Sequence, residues 1–154
     1  MDHLEAIVEI KNIISPEFIN KIIPLIKHKA REHLKIESGK VDTSVRNVKG
    51  YHLNFESPTN LFYWNYIKTE IEKLYNFYKA KFPQMKSIKI NQIDLLKYSV
   101  GGGDLVFTDQ KENEIKKFKL SKGSIVFFPS NFMYPHGIQP ITKGTRYSIV
   151  AWLQ

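Results

Sequence analysis

Gly123-Ser124-Ile125-Val126-Phe127-Phe128-Pro129-Ser130, then Pro135-His136-Gly137-Ile138-Gln139-Pro140-Ile141, then Gly144-Thr145-Arg146-Tyr147-Ser148-Ile149-Val150-Ala151-Trp152, is the stretch that decides how this chain reads. Each run is short, rich in β-branched and aromatic residues, and bounded by Gly, Pro, Asn or Lys, which predicts strands joined by turns. Ser124–Phe128 is apolar without alternation, as expected of a central strand covered on both faces. In the last run Arg146, Ser148 and Val150 share one face and Tyr147, Ile149 and Ala151 the other. The alternation alone leaves open which face is buried.

Working outward, three more β-favouring runs precede these: Ile88–Ser99, Asp104–Thr108 and Ile115–Leu120. Upstream the period changes. Leu61, Trp64, Ile67, Ile71, Leu74, Tyr78 and Phe82 recur at steps of three and four, which predicts an amphipathic helix ending at Pro83. Ser15-Pro16-Glu17 is a second helix start, with Ser15 as cap and Pro16 where no hydrogen bond is lost. Phe18, Ile22 and Ile26 follow on one face, and Pro24 is expected to kink or split that helix. Ser38–Ser57 reads as a long connection with a short strand near Tyr51–Phe55. The expectation is an α+β domain spanning 1–154, helical over about 15–83 and β over about 88–154, with helices packed on a β-sandwich or barrel.

At 154 residues with 42% apolar content, the chain has the size of one domain with its own core. The absence of cysteine excludes disulfides, zinc ribbons and iron–sulfur clusters. No run approaches a membrane span, and the start Met1-Asp2-His3-Leu4-Glu5 has no leader character, so a soluble cytoplasmic protein is expected. The net charge of +8 favours polyanions in principle. Its lysines are interleaved with acids, as in Lys111-Glu112-Asn113-Glu114, which reads as a solvated surface, so nucleic acid is the less favoured partner.

The three C-terminal runs resemble the second half of the Fe(II)/2-oxoglutarate-dependent oxygenase jelly roll, the double-stranded β-helix, of the prolyl-4-hydroxylase-like kind. In that family a buried strand ending in Phe-Pro leads to the distal iron-binding His, a Pro-containing turn and then the Arg that anchors the co-substrate. Leu95-Leu96-Lys97-Tyr98 resembles the strand before the first iron ligands, and Gly102-Gly103-Asp104-Leu105-Val106-Phe107 resembles the family's Gly-Gly-acid-Leu strand. Four motifs in family order, over roughly Ile90 to Leu153, make the match specific.

The resemblance implies His136 as an iron ligand and Arg146, Tyr98 and Ser148 as co-substrate contacts. It also implies Fe(II) and 2-oxoglutarate, with ascorbate as a further candidate. The chemistry is consistent: a facial set of two His and one carboxylate leaves positions open on iron, and a dicarboxylate inside an apolar sandwich needs a buried cation. Each residue also has an ordinary reading, His136 as a loop histidine, Arg146 as a surface arginine and Tyr98 as core packing. Gly101-Gly102-Gly103 is no phosphate loop, since no helix with Gly-Lys-Ser/Thr follows. His28 and His33 do not share a helix face, and His52 has no carboxylate at a useful sequence spacing.

One departure from the pattern bears on activity. The family's His-x-Asp strand, whose two side chains point to one side, belongs between Tyr98 and the Gly-Gly motif, where this chain has Ser99-Val100-Gly101. His3-Leu4-Glu5 has similar spacing but precedes the helices. Either the whole protein carries such a segment at this point or it lacks it, and loss of two strands would leave open edges and exposed core. With the segment, the resemblance implies a dioxygenase that hydroxylates a peptide prolyl or small-molecule substrate and converts 2-oxoglutarate to succinate. Without it, a non-catalytic jelly-roll module binding protein or nucleic acid is expected.

Overall fold

The computed structural model describes residues 2–33, 48–99, 103–139 and 144–154. A 3-10 turn at His3–Ala6 leads into strand β1 (Val8–Ile10), helix α1 (Pro16–Lys29) and strands β2 (Glu32–His33) and β3 (Val48–His52). Helix α2 (Pro58–Lys81) follows, then β4 (Ile90–Ser99), β5 (Leu105–Thr108), β6 (Glu114–Phe118), β7 (Ile125–Phe127), β8 (His136–Ile138) and β9 (Thr145–Leu153). The α+β composition matches expectation. The division into a helical and a β part does not, because β1, β2 and β3 lie in the first half and β1 and β3 pair with strands of the second. Half of the Ser38–Ser57 connection, Gly101, Gly102 and the last two residues of the Pro135–Ile141 run fall outside the described residues.

Both helices begin with the same device. The Ser15 hydroxyl accepts from the Phe18 amide and the Ser57 hydroxyl from the Asn60 amide, each with proline next in the chain. Of the two expected effects of Pro24, a split does not occur, since α1 runs unbroken to Lys29. Pro24 and Asn20 both lie on the solvent face, where water can bond the Asn20 carbonyl that the proline leaves without a donor. On α2 the predicted stripe is buried except for Leu61, which is 46% exposed; Asn60 is buried instead.

The described strands form three antiparallel sheets, ordered β2-β3-β4-β9, β6-β5-β8 and β1-β7. Ile93, Leu95, Ile149 and Ala151 turn one face of the first sheet onto α1 and α2, meeting Phe18, Ile22, Ile26, Trp64, Ile67 and Ile71. Further along α2, Leu74, Tyr75 and Tyr78 pack on Phe127 and on Val8 and Ile10. A third cluster, with Ile7, Leu105, Phe107, Phe118 and Tyr134 at its centre, fills the second sheet's inner side. Predicted as a central strand, Ser124–Phe128 instead yields β7, three residues long, with β1 as its partner among the described residues. Gly123, at φ +79°, makes the turn into β7, and its carbonyl accepts from the Ile13 and Ile14 amides.

Candidate functional site

The β4–β9 register determines where the polar residues meet. Tyr98 stands opposite Arg146, Leu96 opposite Ser148 and Asp94 opposite Val150. Directly opposed residues share a face, and Ile149 and Ala151 occupy the helix side. Arg146, Ser148 and Tyr98 therefore look away from the helices, which settles the choice that the alternation left open. The Arg146 guanidinium lies 4.4 Å from the Tyr98 ring centre, donates through Nη1 to the Gly103 carbonyl at 2.6 Å and through Nε to Ser148 Oγ at 3.2 Å. Arg146 is about half buried. That burial lowers its pKa from the ordinary arginine range, while Tyr98 and Asp104 act in the opposite direction. It remains a cation at neutral pH.

The Gly103 carbonyl brings the second sheet into the site. Gly103 N donates to Gln139 O, and Gln139 N donates to Asp104 O, so the start of β5 is held against the residue after β8. His136 opens β8 opposite Phe107. Its Nδ1 lies 2.9 Å from the Tyr134 carbonyl. A carbonyl can only accept, so Nδ1 carries the proton and Nε2 the lone pair. The ring meets Phe128 edge-on, at 4.7 Å between centres, and Phe107 at a tilt, at 5.6 Å. Metal-binding histidines commonly hold the other ring N–H on a carbonyl in this way, and His136 is exposed.

Among the described residues the other ligands of an iron centre are not grouped with His136. Among the described residues no three His, Cys, Asp or Glu side chains are grouped to hold a metal. His136 fits one ligand position; a facial set of two His and one carboxylate is not present among these residues. In the sequence Tyr98 is followed by Ser99-Val100-Gly101-Gly102-Gly103, so the chain has no His-x-Asp segment at this point.

The structure also brings together residues that sequence spacing kept apart. His52 Nδ1 lies 3.0 Å from Asp94 Oδ1, and Gln92 Nε2 donates to Asp94 Oδ2 at 2.8 Å. The partner assigned to His52 by sequence, none, is thus corrected: the register sets His52 opposite Asp94. His28 Nδ1 lies 3.0 Å from Arg31 Nη2. His3 packs edge-on against Tyr134 at 5.9 Å, and its carbonyl accepts from the Tyr134 hydroxyl. The Tyr134 contact places the N-terminal turn two residues from His136. No signal in the sequence links those segments.

The described strands thus form antiparallel sheets packed with two helices, with a half-buried arginine on one sheet and His136 on another. Residues 87–154 match the model of the 2OG-Fe(II) oxygenase superfamily. A PKHD-type hydroxylase of Idiomarina loihiensis is 34% identical over 53 residues, which are 34% of this chain and 22% of that protein. A PKHD-type hydroxylase of Gloeothece citriformis is 38% identical over 53 residues with the same shares. The matched segment is thus about a fifth of those relatives' length. The fold is similar to that of a viral collagen prolyl hydroxylase from Paramecium bursaria Chlorella virus 1, solved in complex with 2OG. The TM-score is 0.59 at 13% identity, covering 96% of this chain and 94% of that one. Among the described residues no helix is long and apolar enough to cross a membrane.

Proposed function

We propose that this chain binds 2-oxoglutarate at Arg146, with Tyr98 and Ser148 completing the contact to the far carboxylate. The observation that carries this reading is the half-buried guanidinium, shared among Tyr98, Ser148 and the Gly103 carbonyl on the inner face of the sheet. A carboxylate entering there exchanges water for charge-assisted hydrogen bonds in a partly desolvated setting. Ser148 Oγ already accepts from Arg146 Nε, which leaves its proton to donate to the ligand. The superfamily match over residues 87–154, which contain all three side chains, supports the choice of 2-oxoglutarate among dicarboxylates.

Isothermal titration of the chain with 2-oxoglutarate, succinate and glutarate tests it. Saturable 2-oxoglutarate binding that is lost in Arg146→Ala supports the proposal. Absence of binding in the folded wild type overturns it.

A second reading is favoured by the tautomer of His136: a 2-oxoglutarate-dependent dioxygenase that hydroxylates a peptide prolyl or small-molecule substrate. It requires two iron ligands beyond those the described residues group together. Succinate formation on addition of Fe(II) and ascorbate distinguishes the two. A chain that binds 2-oxoglutarate without turning it over is the non-catalytic module, and steady succinate production establishes the oxygenase.

A further inference from the structure

β9 is nine residues long, yet none of its residues is fully buried, and among the described residues its partner is β4 alone. Among the described residues one edge of the strand therefore has no partner strand. The other sheet edges among them are short or charged. β2 has two residues, β7 has three, β8 has three including Gly137, β1 carries Glu9, and β6 carries Glu114, Lys116 and Lys117. Shortness and charge are the usual protections of an open edge. β9, Thr-Arg-Tyr-Ser-Ile-Val-Ala-Trp-Leu, has no proline, glycine, lysine or acid. The bulge in its pairing with β4 lies at the far end, between Ile90 and Gln92. Trp152 is 43% exposed on the same face as Arg146.

We infer that β9 is the interface of a homodimer, in which the β9 strands of two copies pair antiparallel about a two-fold axis at Ile149 and join two four-stranded sheets into one. The strand is self-complementary in this register. Ile149 meets Ile149 of the second copy, Ser148 meets Val150, Tyr147 meets Ala151, Arg146 meets Trp152 and Thr145 meets Leu153. Every inward residue meets an inward residue, so the helices of both copies lie on one side of the joined sheet. The single charge of the strand stands opposite an indole, a favourable cation–π partner, and never opposite itself. Other registers fare worse. A two-fold axis midway between Arg146 and Tyr147 sets Arg146 against Tyr147, on opposite faces, and an axis at Arg146 opposes two like charges. Because each chain carries +8, repulsion between the bodies acts against the strand pairing, and salt screens it. The dimer is therefore favoured by rising ionic strength. This inference stands on the sheet edge and on the Arg146 charge, and the tests are made without 2-oxoglutarate, so that its outcome is separate from that of the proposed function.

The test is sedimentation equilibrium of the full chain and of two variants at the same half-exposed position, with circular dichroism as the check of fold. The expected result is a wild-type dimer whose dissociation constant falls as salt is raised from 50 to 300 mM, on the order of several-fold by loss of screened repulsion. Trp152→Lys sets a cation against Arg146 twice per dimer and weakens it about tenfold or more. Trp152→Glu sets an anion there and keeps it. As a measurement independent of Trp152, Ser148→Cys and Val150→Cys chains are mixed under mild oxidation. The wild-type chain has no cysteine, and mixed disulfide dimers are expected in excess over either homodimer. A wild type that stays monomeric at 100 µM and 300 mM salt overturns the inference. So does a dimer that Trp152→Lys and Trp152→Glu affect equally, or cross-linking with no preference for the mixed pair.

Discussion

Arg146 faces Tyr98 directly across the β4–β9 register, with its guanidinium carbon 4.4 Å from the ring centre. The ring supports the cation from below while the Gly103 carbonyl and the Ser148 hydroxyl hold its edges. Such a planar, fixed fork suits a carboxylate in a way that lysine's single ammonium does not. Arg146→Lys should therefore weaken 2-oxoglutarate binding about tenfold and Arg146→Ala about a hundredfold, equivalent to roughly 1.4 and 2.7 kcal/mol. Titration calorimetry on variants whose circular dichroism matches wild type checks both values. Equal affinity in all three chains would remove Arg146 from the site.

How much of this was readable beforehand depends on the range of the interaction. Helix α2 was legible because its apolar residues recur within the element, although its start at Ser57-Pro58 repeats the Ser15-Pro16 signal and was passed over. Motif order singles out Arg146, Tyr98, Ser148 and His136, and the β4–β9 register brings the first three together. The His52–Asp94 contact was not, since it spans 42 residues and depends on the β3–β4 register. Nor was the pairing of β7 with β1: Ile125–Phe127 has the composition of a central strand, and composition does not say which neighbours exist. Ser124–Phe128 is covered on both faces, as its lack of alternation predicts, with Val126 and Phe128 in one core cluster and Ile125 and Phe127 in another, but its described partner is β1 alone.

Metal dependence separates a binding module from a complete oxygenase. When a ligand chelates a protein-held metal, removing the metal weakens the ligand strongly. Among the described residues no further donors are grouped with His136, and a single histidine gives little metal affinity of its own, because useful sites need several ligands fixed together. The affinity for 2-oxoglutarate should accordingly change less than about twofold between 1 mM Mn(II) and excess chelator, under roughly 0.5 kcal/mol. His136→Ala should leave it unchanged. A tenfold loss on chelation, abolished in His136→Ala, would show that further ligands complete the centre.

The two capping serines offer a matched pair of stability tests. Each hydroxyl accepts an amide of the first turn, at 3.2 Å for Ser15 and 3.1 Å for Ser57. Losing that acceptor leaves the amide to water, so Ser15→Ala and Ser57→Ala should each cost about 1 kcal/mol in urea unfolding, with unchanged m-value. The Ser57 change should be the larger. Beside that cap, Asn60 is almost fully buried and donates to Tyr51 and Asn54, contacts that fraying of the first turn would disturb. A Ser57→Ala chain as stable as wild type would mean that this network holds the helix start without its cap.

Tyr78 supplies a stability signal at alkaline pH. Its hydroxyl donates to the Ala6 carbonyl at 2.7 Å, tying α2 to the segment before β1, and its ring stacks on Phe127 at 5.2 Å. Burial, with Tyr134 and Tyr75 nearby, raises its pKa from 10.0 to about 12. A phenol that holds its proton more tightly when folded contributes stability in full below the unfolded value of 10, and loses it as pH climbs towards 12. Allowing for water at the hydroxyl end, that contribution is on the order of 1 kcal/mol. Tyr78→Phe removes both the hydrogen bond and the titration. It should be about 1 kcal/mol less stable than wild type at pH 8, and the difference should close between pH 10 and 12. Paired urea titrations across that range measure it. A gap that stays constant with pH would mean that the Tyr78 phenol ionises as readily folded as unfolded, and that the Ala6 contact does not govern its proton.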